Sequence, residues 1–368
     1  MRIVFLLPVV SHARYHKRVG ALCALGAAPQ ILAFEREYYP GNPWPNGYIS
    51  LGYLQHGNFH QRLIPILKAL FRIRTEVSRT DVIYAFGLDM LFLGVLSSLT
   101  SRNRPKVVYE VADIHPTLLG NGAIARLLRW GERCLLRHVT VLVVTSEAYI
   151  TSYFQGIQGL SDLRYKVIEN KLDIEQFPSL PTVMGTFSRN KPETLRIGYF
   201  GLIRCRRSWQ VLRELAKCGQ GRIRIYMRGV LRLTESENQE IRNTEFVEYG
   251  GPYVYPDDLP FMYGQVDLIW IANYLSQGHV NWSRVNRFYE ACYFARPMIA
   301  QINTQDGLVV DKFDLGQCID LLDIEDAVDS ILRIDQEQLE VWGRNLSTIP
   351  KDICVYTNEH DELIEMMR

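Results

Sequence analysis

One carboxylate stands out for its setting. Glu290 lies in Asn286-Arg287-Phe288-Tyr289-Glu290-Ala291-Cys292-Tyr293-Phe294-Ala295-Arg296-Pro297, a helical stretch that stops at Ala-Arg-Pro before the apolar run from Met298. In an open α/β sheet this layout aims the acid at the crevice between a helix start and strand ends, where ligands bind. The alternative is an ordinary solvated acid on a surface helix. A second stretch, Gly198-Tyr-Phe-Gly201-Leu-Ile-Arg204-Cys-Arg206-Arg207-Ser208, sets a glycine turn after a strand, where backbone can approach a ligand. Its three guanidiniums supply positive charge, unless the run is simply solvated. A third, Glu110-Val-Ala-Asp113-Ile-His115-Pro116, puts two acids and a histidine at a strand end. That is an acid–base cluster, with Asp113 the first candidate and His115 the second. An Asp113 helix cap before the Pro116 turn is the competing reading. Ser11-His12-Ala-Arg14 follows the first strand and should face the same side. His12 and Arg14 are candidates there for contact with a ligand, and a structural role for His12 stays open.

These residues need elements to position them, and the apolar pattern supplies two series. The first runs strand 3–10, helix 15–25, strand 30–34, strand 81–85, helix 90–99, strand 105–110, helix 123–139, strand 141–145 and strand 165–169. Strands alternating with helices mean parallel βαβ units. Residues 177–192 are rich in Pro, Ser and Thr and lack a period, as a linker does. The second series runs strand 196–200, helix 209–217, strands 222–227 and 245–249, helix 258–264, strand 268–271, helix 286–294, strand 298–302 and a helical tail. A length of 368 residues also favours two domains over one.

Composition narrows the function. The net charge of +1 argues against nucleic-acid binding. It conceals an asymmetry: residues 1–180 carry 20 basic and 13 acidic side chains, and the remainder 21 and 27. A basic first half points to an anionic surface or ligand, although charge drift gives the same sum. Phe59–Arg74 and Ala123–Arg137 mix apolar and basic residues, with Arg126, Arg129, Arg133 and Arg137 along one helix. Such helices can lie on anionic lipid. For the second, a leucine face in the core and an arginine face in water is the preferred expectation. Seven cysteines without a CxxC pair predict reduced thiols in a cytoplasmic protein, not a disulfide or zinc framework. The N-terminal apolar run is short, holds Pro8 and reads as a buried strand. No run reaches the roughly 18 apolar residues of a membrane span.

The two halves, together with several local patterns, resemble the GT-B glycosyltransferases over nearly the whole chain. The resemblance is to the large family of retaining, nucleotide-sugar-dependent (family 4-like) transferases. Arg14–Gly26 resembles the first helix of the acceptor domain, and Val167-Ile-Glu-Asn-Lys-Leu-Asp173 the segment before the linker. Gly198-Tyr-Phe-Gly201-Leu-Ile resembles the opening of the donor domain, and Asp258–Leu268 the helix-then-strand approach to the donor site. The resemblance implies an α/β GT-B fold, two Rossmann-like domains facing a central cleft. The acceptor domain would be 1–177, the linker 178–194 and the donor domain 195–350, with a helical tail at 351–368 that could cross back to the first domain. It implies a transferase that moves a sugar from a nucleotide-sugar, with a UDP-sugar the expected donor, to a saccharide or lipid-linked saccharide in surface polysaccharide or glycolipid synthesis. Glu290 would hold the ribose. Gly201, Arg204, Arg206, Arg207, Asn286 and Arg287 would serve the donor, with basic residues neutralising the diphosphate. Asp113 or His115 would stand beside the reacting sugar, and His12 and Arg14 would line the acceptor side. No cofactor is expected, the nucleotide-sugar being a substrate. No Asp-x-Asp occurs, so no metal is expected either. The expected location is cytoplasmic, at the inner face of the membrane. Many relatives carry a second Glu where this chain has Trp282. That departure keeps a GT-B epimerase and a non-catalytic binding subunit open as alternatives.

Overall fold

A computed structural model describes residues 1–10, 12–36, 44, 46–54, 59–175, 180–181, 185, 187, 193–274 and 282–368, with only the backbone described at 13, 59–64 and 66. The chain divides into two compact units: Met1–Asn170 with Thr357–Arg368, and Lys171–Tyr356.

The first unit runs β1 (Arg2–Leu7), α1 (Ala13–Ala24), β2 (Ala28–Glu35), β3 (Ile49–Tyr53), α2 (Phe59–Glu76), β4 (Val82–Phe86), α3 (Leu88–Thr100), β5 (Lys106–Val111), α4 (Pro116–Leu119), α5 (Ala123–Leu136), β6 (Val141–Val144) and β7 (Tyr165–Val167). A π-helical segment, Tyr149–Ile157, precedes β7. The strands form a parallel sheet in the order β3-β2-β1-β4-β5-β6-β7. Its central strands are unbroken apolar runs because both faces are covered: all five residues of β4 are buried. The chain leaves β1 toward one edge and returns to place β4 on its other side. The topological switch therefore lies between β1 and β4, and ligands of such sheets gather at the carboxyl ends there.

The second unit repeats the plan. It runs β8 (Leu195–Ile203), α6 (Arg206–Gly219), β9 (Ile223–Leu231), α7 (Glu235–Asn243), β10 (Val247–Tyr249), α8 (Leu259–Gly264), β11 (Leu268–Trp270), α9 (Asn286–Tyr293), β12 (Met298–Gln301), α10 (Gln305–Lys312), β13 (Gly316–Ile319), α11 (Ile324–Leu332) and α12 (Gln336–Thr348). The parallel order β10-β9-β8-β11-β12-β13 puts the switch between β8 and β11. Leu180 packs in this unit's core and the Gly185 N–H donates to the Tyr293 carbonyl, so parts of the expected linker belong to this body. Most of that linker lies outside the described residues. The unit begins at Lys171 rather than near 195 and keeps residues 351–356, where Leu172 pairs with Val355.

The chain then passes from Tyr356 to α13 (Glu359–Met367), which belongs to the first unit. Its anchor is a buried polar network. Arg18 on α1 pairs with Glu110 at the end of β5, Nε to Oε2 at 2.9 Å, and the Tyr84 hydroxyl donates to the same oxygen at 2.6 Å. His360 meets Arg18 Nη1 through Nε2 at 2.6 Å. Arginine can only donate, so that nitrogen accepts, and His360 is neutral with its proton on Nδ1. Burial and the neighbouring guanidinium push its pKa down to about 3. Glu110 is thus committed to the framework and drops out of the expected acid–base cluster.

Candidate functional site

Glu290 stands at the carboxyl side of the second sheet. Its helix α9 packs an almost wholly buried face, and Glu290 itself is only 3% exposed. The Tyr263 hydroxyl donates to its Oε2 at 2.7 Å. A buried carboxylate needs such partners, since an unpaired one costs several kcal/mol. The surface-helix alternative therefore fails: the acid is held inside. Tyr253 and Tyr255, from the loop after β10, lie close enough that Glu290 adds to burial in raising both phenol pKa values.

Arg287, one turn earlier, reaches the end of β8. Its Nη1 donates to the Phe200 carbonyl at 2.6 Å and its guanidinium sits 4.8 Å from the centre of the Tyr199 ring. That contact fixes the strand end without neutralising the cation, and Nε makes no hydrogen bond among the described residues. Gly201 follows at φ +96°, and a Cβ there would stand 3.7 Å from Arg287 Nη1 and 3.8 Å from the Tyr253 hydroxyl. Gly229 opposes it on β9 at φ +131°, where a Cβ would come within 1.9 Å of the Gly201 carbonyl oxygen. Both positions require glycine: the backbone conformation disfavours side chains, and at Gly229 there is no room for one. Gly201, Arg287, Glu290 and Tyr253 are thereby brought together at the β8 end.

The basic run continues into the first turn of α6. Cys205 caps that helix, its Sγ accepting from the Ser208 N–H, while the Ser208 hydroxyl donates to the Ala272 carbonyl beyond β11 at 2.9 Å. The turn is thus tied across the switch point. Arg204 is exposed and makes no ion pair among the described residues. Arg207 is half-buried. Arg206 is exposed and pairs with Glu237 on α7, Nε to Oε1 at 2.6 Å. Positive charge at the β8 end is carried by Arg204 and Arg207, beside the amino end of a fourteen-residue helix, and by buried Arg287. Asn286, at the first position of α9, is exposed, and Trp282 is half-buried.

The first unit presents its own carboxyl edge. Asp113 lies exposed in the turn after β5, and its carboxylate makes no hydrogen bond or ion pair among the described residues. The helix cap is His115, whose Nδ1 accepts the Thr117 N–H at 3.3 Å. This removes the cap reading for Asp113 and gives His115 a structural task. His12 caps α1 in the same way, Nδ1 accepting the Arg14 N–H at 3.3 Å. Burial, then Arg14 and His16, lower its pKa to about 4.

The sequence did not single out Tyr253 and Tyr263. Gly250-Gly251-Pro252 after a strand was the available signal for the loop that carries Tyr253. Two open concavities of about 670 and 700 Å³ lie elsewhere, lined by residues such as Lys217, Arg224 and Phe246. They flank the amino ends of the strands and hold none of these groups.

The second basic helix departs from expectation, and the first agrees with it. On α5, Ile124, Leu127, Leu128 and Trp130 are exposed alongside Arg126 and Arg133, so its apolar residues do not all face the core. Arg129 leaves the stripe to donate to the Leu118 and Gly120 carbonyls. Glu132 anchors the inner face, accepting from Tyr109, Tyr153 and Gln158. On α2, Leu67 and Phe71 are exposed among Lys68, Arg72 and Arg74. The Arg62 side chain lies outside the described residues. Among the described residues, no helix is long and apolar enough to cross a membrane.

Two parallel sheets, each with a switch point whose strand ends carry polar residues, constitute the fold of the GT-B glycosyltransferases, and this chain has that fold. It is 29% identical over 336 residues to the succinoglycan biosynthesis protein ExoL of Rhizobium meliloti (strain 1021), covering 88% of this chain and 82% of that protein. Among solved structures it matches sucrose-phosphate synthase from Thermosynechococcus elongatus with a TM-score of 0.73 at 14% identity, over 100% of this chain and 98% of the other. It matches Anabaena HepE in complex with UDP with a TM-score of 0.67 at 14% identity, over 100% and 99%. No family model matches the chain.

Proposed function

We propose that this GT-B-fold chain is a glycosyltransferase that takes a hexosyl group from a UDP-sugar and attaches it to a saccharide or lipid-linked saccharide in surface polysaccharide synthesis. Buried Glu290 at the switch point of the second sheet carries the reading. A carboxylate accepts two hydrogen bonds and so suits the paired hydroxyls of a ribose. Gly201 leaves backbone open beside it, and Arg204 and Arg207 stand where a diphosphate would need charge. Stabilising the leaving diphosphate with preorganised charge is the main catalytic effect, and no divalent ion or cofactor takes part. Structures of HepE with UDP and with UDP-glucose, and the role in succinoglycan biosynthesis named for ExoL, support the choice of donor and product. Asp113, exposed at the β5 end, orients or deprotonates the acceptor hydroxyl.

A lipid-linked acceptor fits the exposed apolar and basic residues of α2 and α5. Phe71 is 77% exposed and Trp130 60%, and such residues flanked by cations suit the interface of an anionic, cytoplasm-facing membrane. The experiment is a panel of nucleotide-sugars screened for protection against thermal unfolding, followed by UDP release with and without acceptor. Protection by a UDP-sugar and acceptor-dependent release of UDP are expected. Interconversion of the sugar without release would favour an epimerase. Binding without turnover would favour a non-catalytic subunit, the alternative suggested by Trp282.

A further inference from the structure

His12 is held on three sides at the switch point of the first sheet. Its Nδ1 takes the Arg14 N–H at 3.3 Å, so that nitrogen carries no proton and a neutral ring must carry it on Nε2. Its ring rests on Tyr15, centroids 5.0 Å apart, and Tyr15 packs on Phe86 at the end of β4, 4.5 Å away. The turn behind it is pinned by Trp44, whose indole N–H donates to the Val10 carbonyl at 3.0 Å and whose ring stacks on His16 at 3.9 Å. The charged and titratable groups facing the ring are Arg14 and His16, both of which oppose a second proton. Arg14 Nε and His16 Nε2 are buried and make no hydrogen bond among the described residues. Polar atoms are thus gathered and unspent at the β1 and β4 ends.

We propose that His12 is a fixed-tautomer hydrogen-bond donor, its Nε2–H meeting an oxygen of the bound substrate, and that it does not accept a proton. The proposal rests on the glycosyltransferase reading and refines it. A ring that resists protonation is a poor general base but a good neutral donor to an oxygen that gains negative charge. That oxygen belongs to a hydroxyl of the acceptor saccharide.

Two variants separate donor from base. His12→Gln carries an amide N–H out to the place of Nε2, whereas His12→Asn keeps an acceptor for the Arg14 N–H but falls short of the substrate. With thermal melts showing both folded, His12→Gln should retain turnover within about 10-fold while His12→Asn loses roughly 10²–10³. Equal large losses in both would overturn the proposal, since neither amide can act as a base; so would normal turnover in His12→Asn. Calorimetry with UDP tests the placement on the acceptor: His12→Asn should bind UDP as the wild type does while transferring more slowly, and weaker UDP binding would overturn it. Nitrogen NMR of histidine-labelled wild-type protein gives a readout independent of activity. It should show a protonated Nε2 and a bare Nδ1 from pH 5.5 to 8. A proton on Nδ1, or titration near 6.5, would also overturn it. A wild-type chain that binds no nucleotide would instead defeat the functional reading and the substrate contact with it, leaving the tautomer as a property of the turn.

Discussion

Acidification should loosen the first unit through one histidine. His360 accepts a hydrogen bond from Arg18 Nη1 at 2.6 Å, and protonating it would set two cations against each other in a buried place. Its pKa falls from 6.5 to about 3 on folding. The fold therefore favours the neutral ring. The stability this gives is complete above 6.5 and is lost as the pH falls from there toward 3, because the unfolded chain binds the proton first. At pH 5 the unfolded ring is about 1.5 pH units below its midpoint while the folded ring is still neutral, a loss of about 2 kcal/mol relative to pH 7. Other groups also titrate in this range, so the comparison is with His360→Gln, whose side-chain oxygen can still accept from Arg18 but cannot gain a proton. Urea titrations at pH 7 and pH 5, read by hydrogen exchange of β5 peptides, should show the wild type losing about 2 kcal/mol more than the variant. Equal pH dependence in the two would refute the argument and show that Arg18 holds some other acceptor.

Four further outcomes are expected. Glu290→Gln should weaken UDP binding roughly 10- to 100-fold, the worth of a charged hydrogen bond, and an unchanged dissociation constant by calorimetry would take Glu290 out of the site. Asp113→Asn should slow turnover at least about 100-fold and leave UDP affinity nearly intact; near-normal turnover would exclude its part in acceptor activation. Gly229→Ala should cost at least about 2–3 kcal/mol in thermal denaturation, because a left-handed backbone and the Gly201 carbonyl both oppose a Cβ. Transfer should persist in excess chelator; activity lost there and restored by manganese would contradict catalysis by Arg204 and Arg207.

The two βαβ series were legible because parallel strands buried on both faces read as apolar runs, and 82–86 and 268–270 are such runs. One edge strand of each sheet was not, although the opposite edges at 165–167 and 247–249 were. Ile49–Tyr53 contains a glycine and is half-exposed, and Gly316–Ile319 is four residues with a polar centre. Helix α7 escaped because Glu-Ser-Glu-Asn-Gln-Glu-Ile-Arg-Asn has one apolar residue and so no period. Its reciprocal Thr234–Glu237 capping box was the signal to use. The helix that carries Glu290 was legible from its stop before Pro297. The competition for charges near it was not: Arg287 and Arg206 look free in sequence, and only the fold brings Phe200 and Glu237 to them. The cap reading of Asp113 failed by two residues, because the chain used the rarer histidine cap.

The crossing at Tyr356 sets an order of events in synthesis. Residues 357–368 complete a body whose other part ends at Asn170, and residues 171–356 must be made in between. At about 5–20 residues per second, that interval of 186 residues (356 − 171 + 1) lasts roughly 10–40 s. Throughout it, the nascent first unit has Arg18 and Glu110 in place but lacks His360, Leu363 and Met367, which α13 later buries. The inserted unit can finish folding before the earlier one does. A nascent chain arrested or clipped before residue 357 would thus carry a sound second body and an unsealed first one. Damage at one end of the chain would surface as exposed core at the other, where a chaperone or protease would find it.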